Sequence, residues 1–293
     1  SRIDLGLQQI FRDHRVRGNS VLPAAAMVEA AIAAANQLGY SAPLTLERIV
    51  FQKAGMLSED RPLHLQTSFD DDRGRLILAA RSGEETDWSE LARAELIRDA
   101  VTPSPIGTSL AAVLEELPEP FDQDRLYAYC QRLGLDYGDR FRGVIGGRRR
   151  DHEALAEVQL HSAESFQYAA GLDPAVLDSC FHAMIAADPN FDHSIQGLYL
   201  PAEIQRVQML KPLPEKVWAH VRIRLKTANR LLADLDPRAL DGMGLGQGRL
   251  RAPAFRYARR RAFSRRMICQ LCERRGGGAV PATAGGQLLA AEA

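Results

Sequence analysis

The sequence predicts an α+β fold in which two buried helices are each wrapped by antiparallel β-sheet. One helix, from Pro23 to Leu38, and a second, over residues 173–187, are apolar on nearly every side, which is typical of helices enclosed by other elements. Short runs with the alternation of half-buried strands fill most of the remaining chain. The polar cluster from Asp70 to Gly74 separates two such runs as a hairpin turn does, so neighbouring strands are expected to be antiparallel.

The first half of the chain begins with one or two short strands over residues 2–16. Pro23 then starts the first helix at a position where its missing N–H costs nothing, and Gly39 supplies the C-cap. Four strands are predicted after this helix, over residues 44–51, 63–69, 75–80 and 89–97.

The second half repeats this order after a break in composition at residues 102–107. A helix is predicted over 123–133, and the second buried helix begins with Asp173 as N-cap and Pro174 in its first turn. Strands are predicted over 144–148, 154–161, 203–210, 217–226, 230–235 and 249–257. The repeat predicts a pseudo-duplicated architecture.

Domain boundaries follow from this repeat. Residues 1–104 are predicted to form an N-terminal subdomain, residues 105–122 a linker and residues 123–261 a C-terminal subdomain. Residues 262–293 are rich in arginine, glycine and alanine, which predicts a flexible C-terminal linker. A chain that opens at Ser1 is expected to be an excised piece of a longer protein.

Bulk composition narrows the class of protein. The 37 lysines and arginines balance 37 aspartates and glutamates, so no overall field recruits nucleic acid or a membrane surface. No apolar run reaches the roughly 20 residues that span a bilayer. The four cysteines lack the spacing of a disulfide framework, which favours a reducing, cytoplasmic location. Cys269 and Cys272 stand alone and are interpreted as a chance pair and not as a metal site.

His14 is the first candidate for chemistry. Its spacing to Gly18 and Pro23, His-x3-Gly-x4-Pro, places an imidazole at the end of an extended run, followed by a tight turn and the first helix. Read alone, His14 is either a loop histidine before a buried helix or a catalytic base.

Asp178 and His182 are the second candidate. They lie four residues apart on the second buried helix and therefore share one face. They are either an exposed pair that caps a turn or a buried acid with its hydrogen-bond partner. A base in one half and an acid in the other suit the elimination of water beside a thioester, a reaction that needs no metal, nicotinamide or phosphate loop.

Four motifs in order make the chain resemble the dehydratase domain of modular type I polyketide synthases, a double-hotdog fold, over about residues 2–260. His14, Gly18 and Pro23 match His-x3-Gly-x4-Pro, and Asp178 with His182 matches Asp-x3-Gln/His. Two further motifs, Tyr-Gly-Pro-x-Phe-x-Gly and Leu-Pro-x-x-Ile, are matched by Tyr137, Gly138, Phe141 and Gly143, and by Leu200, Pro201 and Ile204.

This resemblance implies roles for the matched residues. His14 would remove the α-proton, and Asp178 would give a proton to the departing β-hydroxyl. His182 would orient Asp178, and Tyr137 would contact the β-hydroxyl or Asp178. Backbone N–H groups near Gly143 or at the start of the first helix would hold the thioester carbonyl. The tunnel lining is assigned to Leu200 and Pro201.

The resemblance also implies the substrate and the partners. The substrate would be a β-hydroxyacyl chain on the phosphopantetheine arm of an acyl carrier protein, with no diffusible cofactor. Neighbouring synthase domains and a second copy of the chain, in a homodimer, are the other expected partners. The short stretch before His14 is similar to dehydratases of assembly lines whose acyltransferases act in trans.

The sequence departs from the family pattern at two positions. Ala24 replaces a glycine after Pro23, which is expected to reshape the pocket near the base. Asp139 replaces the proline of the tyrosine motif, which is expected to loosen the turn that presents Tyr137.

Two other functions fit the same scaffold. The first is a variant enzyme on the same scaffold, either a dehydrating cyclase that closes a cyclic ether or a double-bond isomerase. Asp178 disfavours a pure isomerase, because shifting a double bond needs no acid for a leaving hydroxyl. The other is a non-catalytic scaffold module, which the presence of both His14 and Asp178 disfavours.

Overall fold

A computed structural model describes residues 2–3, 9–98, 109–160, 171–193, 197–238 and 250–259. The helices are α1 (Ala24–Gln37), α2 (Leu110–Glu116), α3 (Gln123–Leu133) and α4 (Pro174–Ala186), with 3₁₀ turns at Gln9–Asp13 and Asp139–Phe141. The strands are β1 (Arg2–Ile3), β2 (His14–Val16), β3 (Asn19–Leu22), β4 (Leu44–Phe51), β5 (Gly55–Met56), β6 (Leu63–Asp70), β7 (Arg75–Ser82), β8 (Ser89–Ile97), β9 (Glu119–Asp122), β10 (Leu135–Tyr137), β11 (Val144–Arg150), β12 (Glu153–Gln159), β13 (Tyr199–Met209), β14 (Lys216–Lys226), β15 (Arg230–Arg238) and β16 (Leu250–Arg259).

Two antiparallel sheets organise these strands. The large sheet has twelve strands in the order β1-β6-β7-β8-β4-β13-β16-β15-β14-β12-β11-β9, and the small sheet has four in the order β10-β2-β3-β5. The described helices include none that is both long and apolar enough to cross a membrane.

Helices α1 and α4 form the centre of the molecule. α1 packs on β4, β6, β7 and β8, α4 packs on β11, β12, β14 and β15, and the two helices contact each other. Twelve of the thirteen residues of α4 are buried, Ile185 being half-buried, which explains why its sequence lacks a polar face. The predicted fold class, two buried helices each wrapped by antiparallel sheet, is confirmed.

Helix ends follow the expected capping rules where a polar cap is present. Asp173 accepts a hydrogen bond from the N–H of Ala175 at 2.8 Å, with Pro174 in the first turn of α4. Gly134 ends α3 in the left-handed conformation at φ 84°. Pro23 is the N-cap residue of α1 and not its first helical residue, and it offers no side-chain cap.

The two halves of the chain share both sheets. In the large sheet β4 pairs with β13, for example Ile49 with Ile204. In the small sheet β10 pairs with β2, so that Tyr137 lies opposite His14 and Leu135 lies opposite Val16. Residues that are far apart in sequence are therefore brought together by strand pairing.

Part of the stretch 105–122, whose composition predicts a linker, carries secondary structure. Ser109 caps α2, whose Val113 packs with Leu117 against Leu155, and β9 pairs with β11. These elements have seven and four residues, too few to show a periodicity of their own. Residues 102–107, the predicted C-terminal linker 262–293, Cys269 and Cys272 lie outside the described residues. The subdomain boundaries stay a prediction.

The β2–β3 hairpin has the two-residue turn that the first motif predicts. Arg17 and Gly18 both have positive φ, 50° and 78°, as in a type I′ turn. This turn returns the chain beside His14 and leads through Leu22 directly into α1.

Candidate active site

His14 is buried on β2 with one ring nitrogen already committed. Its Nδ1–H donates to the carbonyl oxygen of Val21 on β3 at 2.8 Å. This bond leaves the lone pair on Nε2, and Nε2 lies 3.6 Å from Oδ2 of Asp178. Since His14 is only 7% exposed, it is not a loop histidine in open solvent.

Asp178 and His182 share one face of α4, as their spacing predicts. Nε2 of His182 lies 3.0 Å from Oδ2 of Asp178. Asp178 is 5% exposed and His182 is 2% exposed, which excludes an exposed pair that caps a turn. The structure therefore brings together the two histidines and the aspartate that the motifs single out.

Tyr137 enters the same cluster through strand pairing. Its ring centroid lies 4.2 Å from that of His182 and 5.4 Å from that of His14. Phe141, from the same motif, places its ring edge against His14 at 5.2 Å between centroids. These rings form the apolar surroundings of the imidazoles.

Burial governs the protonation of the cluster. Burial lowers the pKa of His14, although the nearby Asp178 carboxylate opposes this shift. Burial alone would raise the pKa of Asp178, but the charge of His14 and the hydrogen bond with His182 outweigh it, and the pKa is lowered. The charge states of the two residues are coupled, because the Asp178 carboxylate raises the pKa of His14 while a charged His14 lowers the pKa of Asp178.

Tyr127 on α3 is a member of the cluster that the sequence did not reveal. Its hydroxyl oxygen lies 3.2 Å from Nδ1 of His182 and accepts the N–H of Val144 at 3.0 Å. Burial raises the pKa of Tyr127 well above its usual value, so the hydroxyl keeps its proton. The spacing of α3 indicates only that this side of the helix is buried.

The turn that presents Tyr137 is held from two sides. The N–H of Gly138 donates to the carbonyl oxygen of Asp13 at 2.8 Å, and the N–H of Arg140 donates to the Asp13 carboxylate at 3.3 Å. The Arg140 guanidinium also pairs with Asp173, the N-cap of α4. These contacts hold the turn despite the exposed Asp139 in place of the family's proline.

The N–H groups near Gly143 already have acceptors. The N–H of Gly143 donates to the hydroxyl of Ser179 at 3.2 Å, and that of Val144 donates to Tyr127. At the start of α1, by contrast, the first helical bonds are those of Ala26 and Met27 to the carbonyl of Pro23, and Pro23 has no side-chain cap. The amides before them have no intrahelical partner and follow directly after β3, whose Val21 carbonyl accepts the hydrogen bond of His14.

Leu200 and Pro201 lie on β13 and are half-buried. They pair with Ala258 and Tyr257 of β16. Their position in a substrate tunnel stays a prediction. No group of three or more histidine, cysteine or acidic side chains within the described ranges is arranged to hold a metal ion.

The fold and this buried cluster suit one class of protein, an enzyme of acid–base chemistry, because a buried histidine of one half faces a buried aspartate of the other. Two family models cover most of the chain. Residues 1–82 match the polyketide synthase dehydratase domain, and residues 107–242 match the polyketide synthase dehydratase N-terminal domain.

Individual relatives agree with these models. Polyketide synthase PksM of Bacillus subtilis (strain 168) is 27% identical over 238 residues, which are 76% of this chain and 6% of PksM. The spectinabilin polyketide synthase system protein NorA' of Streptomyces orinoci is 31% identical over 243 residues, 80% of this chain and 6% of NorA'. The chain thus spans about 6% of the length of each of these relatives.

Solved structures show the same fold. The dehydratase domain from the CurK module of the curacin polyketide synthase superposes with a TM-score of 0.75 at 20% identity, covering 88% of this chain and 91% of that domain. The dehydratase domain of a mycocerosic acid synthase-like synthase gives a TM-score of 0.74 at 24% identity, covering 88% and 90%. The chain belongs to the family of polyketide synthase dehydratase domains, hydro-lyases that act in polyketide biosynthesis.

Proposed function

We propose that this domain removes water from a β-hydroxyacyl thioester carried on the phosphopantetheine arm of an acyl carrier protein, giving the α,β-unsaturated thioester. The observation that carries the proposal is the buried pair of His14 and Asp178. Their facing atoms are 3.6 Å apart and come from two different halves of the chain. A base and an acid at this distance reach the α-carbon and the β-hydroxyl of one bound chain.

The elimination balances with these two residues alone. Nε2 of His14 takes the α-proton, and the electrons of that C–H bond form the Cα=Cβ double bond. The bond between Cβ and oxygen breaks, and the leaving hydroxyl takes the proton of Asp178 to depart as water. His14 is then protonated and Asp178 is a carboxylate, and transfer of the proton between them restores the starting state.

Negative charge develops on the thioester oxygen as the α-proton leaves. We assign its stabilisation to the amides at the start of α1, because those of Gly143 and Val144 already donate to Ser179 and Tyr127. The positive end of the helix dipole acts in the same direction. No cofactor enters this balance, and we propose that none is used.

Variants of a relative support the assignment of the pair. An aspartate-to-asparagine variant and a histidine-to-phenylalanine variant of the CurK dehydratase are each described as inactive. The motifs place Asp178 and His14 as this chain's candidates for such residues.

Partners follow from the proposed substrate. We propose an acyl carrier protein as the donor of the acyl chain, a homodimer as the assembled state and neighbouring synthase domains on the same polypeptide. We also propose that the domain works in the cytoplasm, which fits the free thiols of Cys130 and Cys180.

The test is incubation of the chain with both β-epimers of a synthetic β-hydroxyacyl thioester that carries a distal hydroxyl, followed by chromatography and mass spectrometry. Loss of one water is expected with one epimer, and it should be abolished in His14→Ala and in Asp178→Asn. The matched control is His220→Gln, which alters a second buried histidine–carboxylate pair, with Glu153, outside the site. Wild-type turnover in His14→Ala would overturn the assignment of the base.

The same assay separates the other functions. A cyclase would convert the enoyl product into a species of equal mass and different retention, and an isomerase would leave the β-hydroxyl in place. No change with either epimer would support a non-catalytic module and contradict the dehydratase.

A further inference from the structure

The hydroxyl of Tyr127 is buried and lies among several polar groups, one of which is the hydroxyl of Ser179. Its oxygen is 3.0 Å from the N of Val144, 3.2 Å from Nδ1 of His182 and 3.3 Å from the carbonyl oxygen of Phe141. The side chain is 4% exposed, so solvent does not replace these partners.

Proton counting limits how these bonds are arranged. The N–H of Val144 can only donate and therefore occupies a lone pair of the phenol oxygen. The phenol has one proton, and it is directed to Nδ1 of His182, to the carbonyl of Phe141 or to the hydroxyl of Ser179, which also interacts with the phenol. The choice decides which ring nitrogen of His182 carries hydrogen.

The other ring nitrogen of His182 contacts the acid. Nε2 lies 3.0 Å from Oδ2 of Asp178. If Tyr127 donates to Nδ1, a neutral His182 carries its proton on Nε2 and donates to Asp178. If Tyr127 donates to another acceptor instead, His182 carries its proton on Nδ1, and its bare Nε2 attracts the proton of Asp178.

We propose that Tyr127 is a positioning residue that holds His182 in the Nε2–H tautomer, so that Asp178 delivers its proton to the substrate and not to the imidazole. In this tautomer His182 occupies Oδ2 as a donor and stabilises the carboxylate that forms when the hydroxyl departs. The kinetic part of this inference rests on the proposed function of Asp178, whereas the tautomer of His182 does not depend on it.

The tautomer is measured directly by nuclear magnetic resonance of protein labelled with ¹⁵N-histidine, with His182 assigned by comparison with His182→Gln. Wild-type protein should show the Nε2–H form of His182, and Tyr127→Phe should lose it. The matched control is Tyr129→Phe on the same helix, whose hydroxyl donates to the carbonyl of Asn190 and not to the site. An Nδ1–H form in the wild type overturns the proposal, even if Tyr127→Phe fails to fold.

Kinetics give a second readout. Tyr127→Phe should lower kcat about tenfold, the effect of one hydrogen bond, with KM unchanged because Tyr127 acts through His182. Loss of the His182 donor raises the pKa of Asp178, so the limb of the kcat profile on which activity falls as Asp178 loses its proton should move to higher pH. A lower kcat with an unmoved limb would indicate a structural role and overturn the proposal. If the wild type shows no dehydration, the proposed function fails while the tautomer measurement still decides this inference.

Discussion

His14 is prepared to act as a base by two features of its surroundings. Burial disfavours the imidazolium, and the bond from Nδ1 to the carbonyl of Val21 keeps the lone pair on Nε2, which faces Asp178. Neither burial nor the hydrogen bond alone would keep Nε2 of His14 ready to accept a proton. Without the Val21 bond the imidazole could turn its N–H toward the acid, and without burial it would be charged over much of the acidic range.

The first prediction concerns the pH dependence set by His14. Because burial lowers the pKa of His14, the residue is neutral above that pKa and activity falls as pH decreases through it. The acid limb of kcat/KM should therefore have its midpoint below about 6.5, the ordinary value for histidine. The measurement is turnover of the β-hydroxyacyl thioester from pH 4.5 upward in buffers of constant ionic strength. A midpoint at or above the ordinary value would show that His14 is not the base or is not buried during turnover.

Single residues differ in how far the sequence reveals them. His14, Asp178 and His182 stand in motifs whose spacing is local, so their candidacy is visible without a structure. The candidacy of Tyr127 is not visible in the sequence, because its partner His182 lies 55 residues away and nothing in the spacing of α3 points to it. The donation of the Gly143 amide to Ser179, 36 residues away, is hidden for the same reason.

Among the elements, the 3₁₀ turn Asp139–Phe141 has the most direct effect on the site. Asp13 immediately precedes His14, and it accepts from Gly138 and Arg140 at the start of this turn. Arg140 extends the connection to Asp173 at the N-terminus of α4. The turn therefore links β2, which carries the base candidate His14, to α4, which carries the acid candidate Asp178.

The second prediction tests this coupling with Gly138→Ala. Gly138 has φ −79°, which alanine tolerates, but its added Cβ would overlap the carboxyl group of Asp13. Displacing Asp13 should reduce kcat/KM about ten- to a hundredfold, because proton transfer is sensitive to displacements near 1 Å. Steady-state kinetics measures kcat/KM of the variant, and circular dichroism checks that the variant is folded.

Gly39→Ala is the matched control. It has φ 90° and no atom within 4 Å of the added Cβ, so it should cost about 1 kcal/mol of stability and leave activity unchanged. Equal losses of activity in both variants would contradict a specific role for the Asp13 contact.

Element boundaries were predictable where side chains mark them. Helix α3 has the predicted bounds, because Asp122 caps its start and Gly134 ends it. Strands β5 and β10 were not predicted, since two or three residues show no alternation. Nothing in the charge of the run from Arg148 to Arg150 marks Arg149 as buried, yet Arg149 is buried and donates from Nε to the carbonyl of Ala186 at the end of α4. That contact depends on a helix end 37 residues away.

At the scale of the whole molecule, the two halves share one large sheet and pack their buried helices against each other. The pairing of β4 with β13 makes one sheet of twelve strands, and α1 packs on α4 in its interior. A pseudo-duplicated sequence predicts two helix-and-sheet units. It does not reveal that their sheets join, because that register pairs residues more than 150 positions apart.

The third prediction follows from the shared sheet. Thermal unfolding should show a single transition for both halves, with the calorimetric enthalpy equal to the van't Hoff enthalpy, because separating them exposes β4, β13, α1 and α4 at once. Differential scanning calorimetry, with tyrosine and tryptophan fluorescence as a second probe, is the measurement. Two resolved transitions would show that each half keeps its own stability.

The pairing of β2 with β10 also has a consequence for how the enzyme comes into being during synthesis. His14 and Asp178 are 164 positions apart in the chain, so at about 5–20 residues per second the ribosome takes roughly 8 to 33 s to add the acid after the base. For most of that interval, until Tyr137 is added 41 residues before Asp178, the β2–β3 hairpin lacks the strand β10 that pairs with β2 in the folded domain. Catalysis can therefore begin only after α4 has been synthesised and has packed Asp178 beside His14.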